Sequence, residues 1–88
     1  MQLARNLAAE LGPSGIRVNC ISPGLVKTDF AKALWDDPET KEQREEETPL
    51  RRIGEPNDIA GAAVFLASRA GGWLTGQNIV VDGGVTAV

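Results

Sequence analysis

The patterning of the chain predicts an α/β fold on a parallel sheet, in the order helix, strand, excursion, helix, strand. Two short apolar runs, "IRVNCIS" at 16 to 22 and "QNIVVDGG" at 77 to 84, read as strands. A strong helical period over 57 to 68 lies between them. Strand–helix–strand with an apolar run at each end implies a right-handed crossover and parallel pairing.

The first element is a helix over "QLARNLAAEL", residues 2 to 11, with Leu3, Leu7 and Leu11 beside Ala4 and Ala8 on one face. Gly12-Pro13 ends it, glycine as a C-terminal cap and proline as a block to continuation. No capping side chain precedes the helix, which reads as a truncated start. The strand that follows is bounded by Gly15 and Pro23, with Ile16, Val18 and Cys20 on one face and Arg17, Asn19 and Ile21 on the other. Thr28 or Asp29 is placed to cap a short helix over "FAKALW". Asp37-Pro38 opens a second helical stretch, "ETKEQREEE", with no apolar stripe, which predicts a solvated, weakly packed segment. Residues 25 to 53 are thus a lid-like excursion from the sheet.

Gly54-Glu55-Pro56 closes the excursion and starts the strong helix. Ile59, Ala63 and Leu66 make its expected main face, flanked by Ala60, Val64 and Ala67. Phe65 falls on the opposite side near Gly61 and Ala62, so the helix is apolar on two sides and expects cover on both. Parallel sheets are covered on both faces and are rarely two strands wide. One βα unit and a crossover leave a strand edge open, so the chain reads as an incomplete domain.

Composition excludes several classes of function. The 88 residues suit one small domain, and 42% hydrophobic with 24% charged residues is ordinary for a globular chain. A net charge of -3 with scattered Arg and Lys argues against a nucleic-acid face. No apolar run reaches the length of a membrane span. The lone Cys20 fits a reducing compartment, with the cytoplasm as default, and reads as a small buried strand residue. The chain has no His and no Tyr, which removes the usual neutral-pH proton donor, the commonest metal ligand and every histidine-activated nucleophile. No metal site and no catalytic residue are assigned.

The chemistry concentrates where "IRVNCIS" meets "PGLVKT". In open parallel sheets ligands bind beyond the carboxyl ends of the strands, and Pro23-Gly24 stands at such an end. Proline removes a donor and glycine lets the backbone approach a ligand. Thr28 either joins an anion site at a helix start or is only the cap of a strand-to-helix turn.

Here the sequence resembles a known family. "LARNLAAELGPSGIRVN" and "IRVNCISPGLVKTDF" resemble the end of the Tyr-x-x-x-Lys helix and the next strand of short-chain dehydrogenases/reductases. "LRRIGEPNDIAGAAVFLAS" and "LTGQNIVVDGG" are similar to that family's last helix and last strand, in the same order. The likeness covers essentially the whole chain. "KTDFAKALW" is also similar to members that reduce ketones and aldehydes.

The resemblance implies the C-terminal portion of a Rossmann-like doubly wound parallel sheet, residues 1 to 88, in an NAD(P)-dependent oxidoreductase. It implies Pro23 and Gly24 against a nicotinamide ring, Val26 bonding the carboxamide through its backbone, and Thr28 contacting the carboxamide or pyrophosphate. Leu25, Phe30, Leu34 and Trp35 become lid contacts to a small carbonyl or alcohol substrate, Trp35 either as substrate wall or as packing anchor. Gly61, Ala62 and Phe65 become a subunit interface of a homo-oligomer, dimer or tetramer. The family's Gly-rich turn, catalytic Ser, Tyr and Lys belong to an N-terminal half absent from this sequence, so the cofactor site is partial. Alone, the chain is expected to be inactive. The alternative expectation is a non-catalytic assembly module that pairs with full-length relatives.

Overall fold

A computed structural model describes residues 2–87. Helix α1, Gln2–Leu11, forms as its period predicts but buries only Ala4 and Ala8, leaving Leu3 exposed. The chain then tightens into one turn over Gly12–Ser14 and leaves it through Gly15, whose left-handed φ of 77° turns its N–H onto the Gly12 carbonyl at 2.8 Å.

Strand β1, Cys20–Pro23, pairs in parallel with β2, Asn78–Val81, so that Cys20 lies opposite Asn78 and Pro23 opposite Val81. Both strands are shorter than their apolar runs. Residues 16 to 19 run beside a loop instead of a strand. Val18 N–H donates to Thr75 Oγ1 at 3.0 Å, and Gly76 N–H to the Val18 carbonyl at 2.7 Å. Asn19 spans the gap, donating to the Leu74 carbonyl at 3.0 Å and accepting Gln77 N–H at 3.1 Å. At the other end Asp82 turns the chain off the sheet by accepting Gly84 N–H, Thr86 N–H and the Thr86 hydroxyl at 2.8–3.0 Å.

Helix α4, Pro56–Ala67, crosses from the excursion to β2 and packs on both strands. Its inward side carries half-buried Asp58, Ile59, Ala62 and Leu66, while Ala63 is exposed. The expected Ile59–Ala63–Leu66 face is therefore rotated, because contact with the sheet, not mean apolarity, selects the buried stripe. Arg17 reaches under the end of α4. Its Nη1 donates to the carbonyls of Leu66 at 2.7 Å, Gly71 at 2.8 Å and Leu74 at 3.4 Å, which occupies acceptors a helix end leaves free.

The excursion holds two helices, α2 at Lys32–Trp35 and α3 at Pro38–Glu47. The expectation that Thr28 or Asp29 caps the first is met in part. The Thr28 hydroxyl accepts Ala31 N–H, three residues on, as a cap does. But the turn Thr28–Ala31 intervenes, regular helix begins only at Lys32, and Ala31 at its cap position makes no side-chain bond. Helix α3 starts as its sequence predicts, with Asp37 accepting Thr40 N–H at 3.0 Å, and it buries nothing. The return limb is the surprise. Thr48 and Ile53 are buried, Leu50 N–H donates to the Gly83 carbonyl at 3.1 Å, and Pro49 lies against Gly84. Anchorage of this kind needs the two ends of the chain's path in space, which no local pattern encodes.

Among the described residues the buried apolar side chains are Ala4, Ala8 and Ile53. The molecule is elongated, 50 × 22 × 21 Å.

Candidate functional site

The carboxyl ends of β1 and β2, the return limb and the start of α4 enclose a cleft of about 640 Å³. Pro23, Gly24, Leu25 and Val26 line it, with Leu50, Ile53 and Val81 facing them. Pro23 is exposed and closes β1 without a donor. Gly24 donates its N–H to the Val81 carbonyl at 2.9 Å. A Cβ on Gly24 would lie 2.7 Å from Asp82 Cβ and 2.8 Å from its Cα, so the glycine is required by the neighbouring strand end.

Val26 stands where two chain segments cross. Its flanking residues bond Gly54 in an isolated parallel bridge, Lys27 N–H to the Gly54 carbonyl at 2.9 Å and Gly54 N–H to the Leu25 carbonyl at 3.0 Å. The Val26 carbonyl accepts Thr28 N–H at 2.8 Å, while among the described residues the Val26 N–H finds no acceptor. Thr28 is exposed. Its hydroxyl oxygen accepts Ala31 N–H at 3.2 Å, which leaves the hydroxyl proton unspent. Because its own N–H is committed to Val26, the Thr28 amide is not the free helix-start donor an anion would need.

Of the four apolar lid candidates, only Leu25 lines the cleft. Phe30 is fully exposed and Leu34 41% exposed. Trp35 is half-buried and tied back by its indole N–H to the Thr28 carbonyl at 2.9 Å. On α4, Gly61 faces open space, Ala62 is half-buried, and Phe65 and Val64 are 45% and 68% exposed.

At the cleft's edge, sequence reasoning takes Asp58 as a first-turn helix acid and does not pair it with Arg52. Arg52 grips Asp58 with both guanidinium nitrogens, Nη1 to Oδ2 at 2.8 Å and Nη2 to Oδ1 at 3.0 Å. Asp58 Oδ2 also accepts Glu55 N–H at 2.7 Å. These bonds, Arg52 first and the Glu55 amide second, lower the Asp58 pKa to about 2. Lys27 Nζ lies 3.1 Å from Glu55 Oε1. The signal was present in "RRIGEPND", since an acid three residues after a helix cap can bond back to it. Asp82, also on the cleft, is held below its ordinary value by the Thr86 hydroxyl and N–H and the Gly84 N–H. Among the described residues no cluster of His, Cys, Asp and Glu could hold a metal, and no helix is long and apolar enough to cross a membrane.

An exposed proline ring, a Val26 N–H without an acceptor and a free hydroxyl proton on Thr28 offer one apolar surface and two hydrogen-bond donors. They cannot by themselves move a proton at neutral pH.

Known proteins are similar to this chain in sequence and fold. Residues 1–86 match the family model described as enoyl-(acyl carrier protein) reductase. The chain is 47% identical over 85 residues to dehydrogenase/reductase SDR family member 4 of Sus scrofa, covering 97% of this chain and 30% of that protein. A solved 4-hydroxyisoleucine dehydrogenase complexed with NADH superposes with a TM-score of 0.93 at 33% identity, covering 99% of this chain and 36% of that one. A gluconate 5-dehydrogenase from Burkholderia cenocepacia in complex with NADP and tartrate superposes with a TM-score of 0.90 at 36% identity, covering 99% and 34%. The chain spans about a third of the length of the relatives it matches.

Proposed function

Since the chain belongs to the short-chain dehydrogenase/reductase family, we propose that it supplies the nicotinamide-side wall, substrate lid and subunit interface of an NAD(P)-dependent oxidoreductase. The reaction is interconversion of a small carbonyl and its alcohol. One observation carries the reading: at the carboxyl end of a parallel strand, the Val26 N–H is left unspent in the cleft that the exposed Pro23 also lines, and two residues on, outside that lining, the Thr28 hydroxyl proton is unspent as well. Pro23 and Gly24 form the floor under the ring, Val26 donates to the carboxamide oxygen, and Thr28 orients the carboxamide or the pyrophosphate. A bound NAD(P)H supplies the hydride. Residues 25 to 53 are the lid, with Leu25, Phe30, Leu34 and Trp35 as its apolar contacts, and closure excludes water from the transfer. The chain alone is inactive, because it carries no Tyr or His to deliver the proton. A reducing, cytoplasmic setting suits the unpaired Cys20.

The test replaces the matching third of the 4-hydroxyisoleucine dehydrogenase with residues 1–88 and follows NADH and NADPH oxidation over a panel of carbonyls. Turnover is expected, and Val26→Pro, which deletes the free N–H, should raise the cofactor KM tenfold or more. A folded graft that oxidises neither cofactor with any carbonyl would overturn the reading. The exposed Val64 and Phe65 favour a second reading, assembly with a full-length relative through the outer side of α4 that carries Gly61 and Phe65, Ala62 of the expected trio having turned toward the sheet. Co-purification that survives Phe65→Glu would remove it.

A further inference from the structure

The loop that bears Val26 is tied to the return limb of the excursion. Residues 26 and 54 form the neck of the excursion, joined by two backbone bonds, Lys27 N–H to Gly54 C=O and Gly54 N–H to Leu25 C=O. Gly54 permits this closeness, since a Cβ there would sit 3.2 Å from the Leu25 carbonyl and 3.5 Å from Val26 Cγ2. The Gly54 backbone is in turn bracketed by one carboxylate. Asp58 receives the Arg52 fork from the residue pair before Gly54 and the Glu55 N–H from the residue after it. A plain helix cap would need only the Glu55 bond. The Arg52 bonds come from the excursion, and they bend residues 52 to 55 around the carboxylate so that Gly54 faces Val26. Lys27 adds a tie from the other limb to Glu55.

We propose that Asp58 is a positioning residue for the cofactor-facing loop: from the first turn of α4 it holds, through Arg52 and Glu55, the neck on which Val26 is mounted. The proposal rests on the functional reading above only for what the Val26 N–H faces. Arg52 is exposed and Asp58 half-buried, so the pair adds little to global stability and its effect is on local geometry. Loss of the carboxylate frees Gly54 and lets Val26 N–H swing away from the cleft.

Amide hydrogen exchange of the full 88-residue chain, read by NMR, tests this without any cofactor. In Asp58→Ala, exchange at Lys27 and Gly54 N–H should rise tenfold or more and the Val26 amide resonance should shift. Cys20 and Gly24 N–H, which donate to the Gln77 and Val81 carbonyls, should keep their protection. Asp58→Glu should restore the neck, because glutamate at that helix position also bonds back to the cap. Arg52→Gln should give an intermediate loss. Unchanged exchange at Lys27 and Gly54 in Asp58→Ala would overturn the proposal. So would equal loss at every amide, which would make Asp58 a residue of global stability. Neck amides that exchange freely in the unaltered chain would overturn it as well. An intact neck in this experiment with a graft that oxidises no cofactor would leave the positioning role standing and remove the nicotinamide reading.

Discussion

Single residues set the chemistry of the strand-end cleft, and two kinds of them could be told apart only in three dimensions. Asp58 reads in sequence as a first-turn helix acid and is one, yet Arg52 makes it far more acidic than an ordinary carboxylate. Its folded pKa of about 2 lies below the ordinary carboxyl value of 3.8, so the stability it contributes is complete above pH 3.8 and is lost as pH falls toward 2. A carboxyl NMR titration should show Asp58 ionised down to about pH 2, and Arg52→Gln should return its midpoint toward 3.8. The glycines separate in the same way. Gly24→Ala forces a Cβ against the Asp82 backbone and should cost about 1–3 kcal/mol. Gly61→Ala meets nothing within 4 Å in the middle of a helix and should stabilise by about 0.5–1 kcal/mol. Unfolding midpoints of the two variants should move in opposite directions.

At the scale of elements, local signals worked where they were self-contained. Helix α1 ends at Gly12-Pro13, and α3 begins at the Asp37 cap, because each signal acts on its own neighbours. They failed where an element is finished by a distant group. Thr28 caps the turn that precedes α2 and not α2 itself, and both strands are shorter than their apolar runs, β1 starting late and β2 ending early, because the partner backbone leaves. The end of α4 is finished by Arg17, some fifty residues away in sequence. Arg17→Met removes a charged donor from three carbonyls at a cost of about 2 kcal/mol. Hydrogen exchange at Ser68, Gly71 and Leu74 N–H, which close the turns beyond α4, should then quicken by about 30-fold. No change at those amides would mean that the helix end is held by packing.

The whole molecule exposes more than a compact chain of its length. Its radius of gyration is 15.5 Å, where about 12 Å is usual for 88 residues. Its accessible surface is 6332 Å², where a monomer of 9.3 kDa has about 5,000 Å². Trp73 is 99% exposed, while Trp35 is tied to Thr28. Acrylamide should therefore quench the chain's emission mainly through Trp73, and Trp73→Phe should leave the less accessible remainder; equal quenching before and after would contradict this exposure. The α/β class, the order of elements, the Pro23-Gly24 strand end and the family likeness were all legible in sequence, because β-branched runs, helical periods and Gly-Pro breaks act over a few residues. The return limb on Gly83 and Gly84, the Asp82 turn beneath Gly24, the rotated face of α4 and the Arg52–Asp58 clamp were decided only by tertiary structure. Each depends on groups that meet across tens of residues, and a hydrogen bond or a missing Cβ has no partner until the chain has folded.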